Sequence, residues 1–326
     1  MPVIDVHTHM LNDAWVAALR ERGGPAYSVR ELAGQQAVHM HGAPFMTLQP
    51  GMFDYALRIE NMDRAGVDIA IISLTCPNVF WGGEDSSTRL AQLMNDDMAQ
   101  RQQQWPDRIR WFATLPWQYP QRALAELERA CAAGAVGVFV TANVSGTSLT
   151  DPSLAPGWDA IDDRGLPVLV HPSAPPGVRE MDVFSYNLVA SVGFTFDTTL
   201  AVSRMIFDGF FDRYRRLKII AAHGGGYLPY LAGRLDICFR NMAPCRERID
   251  RPPSSYLRQI YFDAVLFTQE ALELCVGVAG PDQVLYGSDY PHNIGDMAGC
   301  LARVDALPAD TRDKVRGGNA RRIFGL

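Results

Sequence analysis

Val3-Ile-Asp-Val-His7-Thr-His9, close to the start of the chain, sets an apolar run against two histidines spaced two residues apart. Side chains at i and i+2 of a strand point to the same face. The run therefore reads as a buried strand, Val3–His7, that delivers two imidazoles side by side at its C-terminal end. An open, doubly wound nucleotide-binding sheet usually carries a Gly-rich turn after its first strand; here His-Thr-His stands in that place.

The same rhythm recurs along the chain. Apolar runs at Val67–Leu74, Ile109–Leu115, Val136–Val140, Pro167–His171, Lys218–His223, Gln259–Asp263 and Val284–Asp289 bring the expected strands to eight. Most are continuous rather than alternating, which suits strands buried on both faces of a parallel sheet. Amphipathic helical stretches lie between them, among them Phe53–Arg64, Thr88–Gln104, Gln121–Ala132 and Gln269–Val278. Ala65-Gly66 and Ala133-Gly134 stop two of these just before a strand, as C-terminal glycines do. Eight strand–helix units in 326 residues predict an α/β fold, a (β/α)8 TIM barrel, as one domain over residues 1–326. Gly23–Gly51 and Pro172–Thr195 break the rhythm and are expected to be long loops after strands 1 and 5. Both follow strand C-termini, the face on which barrels build their sites.

Composition narrows the function. Hydrophobic residues make up 48% of the chain and charged residues 20%, which excludes disorder. A net charge of −6 argues against nucleic acid, which asks for a basic footprint. No apolar run approaches the ~20 residues needed to span a bilayer, and the first ten residues lack the basic and apolar regions of a signal peptide. Six scattered cysteines without a C-x-x-C predict free thiols in a reducing cytoplasm.

Three more candidates stand where His7 and His9 stand. His171 ends expected strand 5, His223 ends strand 6 and Asp289 ends strand 8, each after an apolar run. Alone, H-x-H reads equally well as two solvated histidines. Five such residues at one barrel face read instead as a site for Zn²⁺ or a similar divalent ion, which imidazole and carboxylate together suit. Asp263 ends strand 7 and is expected to accept hydrogen bonds from loop backbone. His39 and His41 form a second H-x-H, but in the polar segment after strand 1, where a substrate contact is the better reading than a metal role. His292, three residues beyond Asp289, is expected to touch the pocket. Arg234, eleven residues after His223, reads from position alone as either a functional cation or a surface ion pair.

Asp5-Val-His7-Thr-His9, Val-His171-Pro172, Ala-His223-Gly-Gly-Gly226 and Tyr-Gly-Ser-Asp289-Tyr-Pro291, with Arg58-Ile-Glu-Asn-Met-Asp63 and Arg251-Pro-Pro-Ser-Ser-Tyr256, together resemble the metal-dependent amidohydrolase superfamily. The branch they resemble is amidohydrolase-related family 2, which includes aminocarboxymuconate-semialdehyde and resorcylate-type decarboxylases. The resemblance implies that His7, His9, His171 and Asp289 hold one metal per chain, Zn²⁺ with Mn²⁺ as the alternative, and that no organic cofactor is needed. It implies that His223 is the acid/base beside a metal-bound water, with Asp289 able to relay a proton. It matches Arg234 to an arginine that binds substrate carboxylate in a neighbouring subunit, hence a homodimer. The implied activity is non-oxidative decarboxylation of a small unsaturated or aromatic carboxylic acid; hydrolysis of a lactone, ester or amide is the alternative.

The chain departs from the semialdehyde decarboxylase in two places. A second substrate-binding arginine falls near Phe45-Met46-Thr47, where there is none, and a pocket tryptophan falls near Asn187. The carboxylated lysine that bridges two metals in other members has no counterpart in Val138–Asn143, which favours a single ion.

Overall fold

The computed structural model describes residues 1–326. Eight parallel strands lie side by side in the order in which they occur in the sequence. They are β1 (Ile4–His9), β2 (Ile69–Ser73), β3 (Ile109–Thr114), β4 (Gly137–Thr141), β5 (Pro167–His171), β6 (Lys218–Ala221), β7 (Tyr261–Asp263) and β8 (Val284–Leu285). The segment beyond β8 brings the sheet back to β1. The Val6 N–H donates to the Tyr286 carbonyl at 3.0 Å, the Ser288 and Asp289 N–H groups donate to the His7 carbonyl at 3.2 and 2.8 Å, and Thr8 pairs in parallel with Tyr290. Helices α1 (Asp13–Arg22), α2 (Tyr55–Ala65), α3 (Glu84–Gln104), α4 (Pro120–Ala132), α5 (Ala155–Arg164), α6 (Phe194–Phe207), α7 (Leu228–Asn241), α8 (Gln269–Ala279) and α9 (Met297–Asp305) intervene between the strands or follow them. The expected (β/α)8 barrel is what the chain forms.

Two apolar layers hold it. Ile4, Ile71, Phe112, Phe139, Leu169 and Ile220 belong to a small buried cluster contributed by successive strands, which fills the barrel as such interiors are filled. A larger cluster packs the outer strand faces against the helices. Each fully buried large side chain contributes roughly 1.5–3 kcal/mol.

A single irregularity in β1 decides where the histidines point. Asp5 pairs with Ala70 and Thr8 with Ile72, so one extra residue is accommodated on β1 between Asp5 and Thr8. Such a bulge flips the alternation of faces. Ile4 and Val6 below it join the interior cluster, and His7 and His9 above it also turn inward. Thr8, between them, faces the helix layer.

Several expected boundaries shift. β1 runs on to His9 rather than stopping at His7. β6 ends at Ala221, and His223 opens a tight turn with φ +56°. β8 ends at Leu285, and Asp289 lies in the turn beyond it with φ +57°. The Pro172–Thr195 segment is largely turns, with short helical pieces at Ser185–Asn187 and Val189–Gly193.

The Gly23–Gly51 stretch is not a loop but a three-stranded antiparallel sheet, Tyr27–Leu32, Gln35–Met40 and Ala43–Thr47. Two-residue turns at Ala33-Gly34 and His41-Gly42 join its strands, with positive φ at all four residues. That is the hairpin geometry that matches strand twist. His41 is therefore a turn residue, and His39 is a buried strand residue whose Nδ1 lies 3.2 Å from the Ala37 carbonyl oxygen.

The turn His223-Gly-Gly-Gly226 depends on its glycines. Gly226 sits at φ +64°, ψ −119°, and a Cβ there would lie 2.2 Å from the Thr195 carbonyl oxygen. Strain of this kind costs roughly 1–3 kcal/mol, and the clash adds to it. Gly226→Ala is expected to lower unfolding free energy by at least about 2 kcal/mol in denaturant melts. Gly277→Ala, in α8 with no heavy atom within 4 Å of the new methyl, is expected to raise it by up to about 1 kcal/mol.

Candidate metal centre and active site

His7, His9, His171, His223 and Asp289 converge at the C-terminal end of the barrel, and all five are buried. His7 Nε2 lies 3.1 Å from His9 Nε2 and 3.4 Å from Asp289 Oδ1, and His9 Nε2 lies 3.3 Å from the same oxygen. Ligands held 2.0–2.2 Å from one ion at ordinary coordination angles stand about 3.0–3.5 Å apart, so this triangle has the dimensions of a coordination sphere. The ligand atoms of His7, His171, His223 and Asp289 lie within 4.8 Å of one another, as do those of His9, Asp289 and His292.

Three of the histidines are turned by a neighbour so that a particular nitrogen points inward. His7 Nδ1 lies 2.6 Å from Asp263 Oδ2, His171 Nδ1 lies 2.7 Å from the Pro172 carbonyl, and His9 Nδ1 lies 3.1 Å from Ser73 Oγ. A donor hydrogen on Nδ1 leaves the Nε2 lone pair for a ligand bond. His171 Nε2 and Asp289 Oδ1 are buried and have no hydrogen-bond partner. Orphaned buried acceptors are costly, and a divalent cation satisfies both at once.

The electrostatics differ among the imidazoles: against burial, the Asp263 carboxylate raises His7 above the ordinary histidine value. Burial draws His9 down to about 3, against the opposing pull of the Asp289 carboxylate. Burial, reinforced by the neighbouring imidazoles, holds His171 well below the ordinary histidine value. Both are neutral at pH 7, as ligands must be. Burial alone would raise Asp289, but His292 and the contacts with His223 and His9 hold it well below the usual carboxylate range. Asp263 is likewise held low, as the pull of His7 outweighs burial.

His223 stands apart from the triangle. Its Nε2 faces the second oxygen of the aspartate, Asp289 Oδ2, at 3.6 Å, and its Nδ1 is buried without a partner. One oxygen of Asp289 thus looks toward His7 and His9, the other toward His223.

The centre opens into a cavity of about 380 Å³. Phe45, Met46, Phe184 and Phe194 supply apolar wall, Thr47, Asn187 and Asn293 supply neutral polar groups, and His171, His223, Asp289 and His292 reach it from the centre. No lysine or arginine lines it. His292 and Asn187 therefore lie where the sequence suggested, with His292 Nε2 3.1 Å from Thr75 Oγ1. Arg234 does not: it is exposed on α7 and meets no acidic partner within the chain.

The part of Asp263 that position alone did not reveal is its grip on His7. Its end-of-strand location marked it as facing the site, and it does accept backbone N–H bonds from His223 at 3.0 Å, Gly224 at 3.0 Å and Val265 at 3.1 Å. Its contact with His7 spans 256 residues of sequence. Ser73, the last residue of β2, and Thr75, just beyond it, are orienting residues that carried no motif.

The family model for amidohydrolases, Amidohydro_2, matches residues 4–326, and the chain belongs to that family. A 2-amino-3-carboxymuconate-6-semialdehyde decarboxylase of Dictyostelium discoideum is 32% identical over 333 residues, covering 99% of this chain and 91% of the relative. The crystal structure of 5-carboxyvanillate decarboxylase from Sphingomonas paucimobilis matches with a TM-score of 0.84 at 28% identity, covering 100% of this chain and 99% of that one. A 5-carboxyvanillate decarboxylase from Novosphingobium aromaticivorans, solved with bound manganese and 3-methoxy-4-hydroxy-5-nitrobenzoic acid, matches with a TM-score of 0.86 at 25% identity over 100% of this chain and 97% of that one. The relationship read from the motifs thus extends over the whole chain.

Outer partners of metal-bound histidines typically govern affinity by 10–100-fold. Asp263→Asn, which replaces one accepting oxygen by a donor, is expected to weaken divalent-metal binding by about that factor, measured by competition with a chromophoric chelator. An affinity equal to the parent's would remove Asp263 from the role assigned to it.

Proposed function

We propose that this chain is a metal-dependent, non-oxidative decarboxylase of a small aromatic or conjugated carboxylic acid, working as one domain over residues 1–326. The observation that carries the reading is the division of labour at Asp289: Oδ1 faces His7 and His9, while Oδ2 faces His223. Phe45 and Phe194, packed edge to face on each other at 5.8 Å, offer the cavity an aromatic surface for a ring.

His7, His9, His171 and Asp289 would hold one divalent ion. The nitrogen and oxygen donors suit Zn²⁺, and Mn²⁺ is the alternative that the Novosphingobium structure supports. When bound, the metal supplies Lewis-acid polarisation of substrate oxygen and stabilises negative charge that develops there. The chain's own residues do the rest. The aromatic walls orient the ring and exclude water from it. His223, with Asp289 Oδ2 beside it, brings a proton to the ring carbon that carries the carboxylate. The carbon–carbon bond then breaks, its electron pair restores the ring, and CO2 leaves with a hydrogen in its place. His223 and Asp289 recover a proton from solvent through the open cavity. His292 and Asn187 contact the substrate from the rim. Six cysteines without a disulfide support a cytoplasmic enzyme.

The test is a panel of hydroxybenzoates, muconate semialdehydes and lactones assayed on metal-loaded protein. CO2 release with about one metal per chain supports the reading, whereas acid release without CO2 makes the chain a hydrolase. His223→Asn is expected to keep its metal and lose roughly 10²–10⁴ in turnover, the usual share of general acid–base catalysis. Loss of metal in that variant would make His223 a ligand instead.

The enzyme acts as a homodimer with Arg234 near its partner's cavity. Tyr230, Arg234 and Ile237 recur at i, i+4 and i+7 along α7, on one helical face. Tyr230 is 80% and Ile237 48% exposed. Val192, 46% exposed, adjoins them through the Tyr227 hydroxyl, which donates to its carbonyl at 2.9 Å. Arg234→Ala and His171→Ala, each impaired alone, are expected to recover activity when mixed under subunit exchange, because one site of the heterodimer carries neither lesion. A mixture that exchanges and stays inactive, or an active monomer, would return Arg234 to the surface.

A further inference from the structure

Arg58, packed behind the end of β1, is a buried group that the proposed chemistry does not use. It projects from α2 and is 0% exposed, yet no carboxylate accepts a hydrogen bond from its guanidinium. A buried charge without an ionised partner is costly, so the contacts that it does make have to offset a large penalty. Nη1 donates to Thr8 Oγ1 at 2.6 Å, Nη2 donates to the His9 carbonyl, and Nε lies 2.9 Å from Met10 Sδ. On its other side, Cζ stands 4.7 Å from the centre of the Tyr290 ring.

These contacts lie on a seam. Thr8 Oγ1 donates to the Tyr290 carbonyl at 3.0 Å, and the His9 N–H donates to the same carbonyl at 2.8 Å. One side of the seam is the end of β1, which carries His7 and His9. The other is the segment beyond β8, where Asp289 precedes Tyr290. Across it His7 and His9 face Asp289 Oδ1 at 3.4 and 3.3 Å. A planar fork of fixed donors can hold three successive residues at once, which neither an ammonium nor an apolar chain of similar length can do.

We propose that Arg58 is a positioning residue for the metal centre: by gripping Thr8, the His9 carbonyl and Met10 and stacking on Tyr290, it sets the gap between the His7–His9 pair and Asp289. The inference rests on the reading of those three residues as ligands, and it assigns Arg58 no contact with substrate. A purely structural arginine at this place would lower stability when replaced and leave the metal affinity of the folded protein unchanged.

The experiment measures Zn²⁺ and Mn²⁺ affinity of the full chain by chelator competition, on variants whose fold is checked by circular dichroism. Arg58→Met is expected to bind either ion about 10–100-fold more weakly, the range known for outer partners of metal ligands, and Arg58→Lys to recover part of that loss. The electron paramagnetic resonance spectrum of bound Mn²⁺ is expected to change in both. Tyr55→Phe, on the same helix, removes a buried hydroxyl bonded to Asp97 at 3.2 Å and serves as the comparison: lower stability with unchanged affinity. Should the Arg58 variants fail to fold, Thr8→Val removes one acceptor of the guanidinium with little change of shape, and a loss of about 3–10-fold is expected. Parent-like affinity in a folded Arg58 variant, or in Thr8→Val where those variants do not fold, overturns the proposal and leaves the decarboxylase reading intact. A parent chain that binds neither ion overturns both.

Discussion

Four N–H groups end on the carboxylate of Asp263: Nδ1–H of His7 and the backbone N–H groups of His223, Gly224 and Val265. The rest of the centre depends on this. The carboxylate is wholly buried, and a buried carboxylate persists in its charged form only when its lone pairs are engaged. Those four donors come from β1, from the turn after β6 and from the residues just past β7. The same interaction therefore selects the tautomer of His7, aims its Nε2 and pins the left-handed backbone of His223. If it were lost, His7 could rotate, and the strained turn would keep only its glycine contacts.

Burial does a second job at this spot. His9 is drawn down to about 3 and His171 well below the ordinary histidine value. His9 and His171 thus present lone pairs rather than charges, while Asp289 stays ionised. Asp289 Oδ1 and the His171 Nε2 lone pair are left without partners unless a cation joins them. Beneath the cluster, the Phe139 ring, 5.4 Å from that of His171, closes the floor with carbon.

The barrel is readable in the sequence because its strands are continuous apolar runs separated by amphipathic helices, and because chemistry-bearing residues end those runs. The position of Asp289 is chemically right but geometrically displaced: Leu285 is the last ladder residue, and the turn that follows it carries the carboxylate to the site. The sheet over Tyr27–Thr47 escapes a reading by composition. Its turns use Ala33-Gly34 and His41-Gly42 in place of the usual Asn-Gly, and its first strand is half exposed. The links from Asp263 to His7 and from Arg58 to Thr8 span 256 and 50 residues. No local period encodes such contacts; they exist only once the barrel has closed.

That small sheet has a consequence for how this architecture changes over time. It supplies Leu32, Pro44, Phe45, Met46 and Thr47 to the cavity, five of its 16 lining residues. None of the residues facing the metal centre comes from it. It enters after α1, leaves before α2, and satisfies its own backbone through its own two hairpins. Chemistry and selectivity therefore sit at separate addresses in one chain. An exchange of residues 27–47 between relatives would redraw that part of the cavity wall while every imidazole of the metal centre keeps its place. A diversified library confined to that cassette could explore new acids with the catalytic machinery held constant.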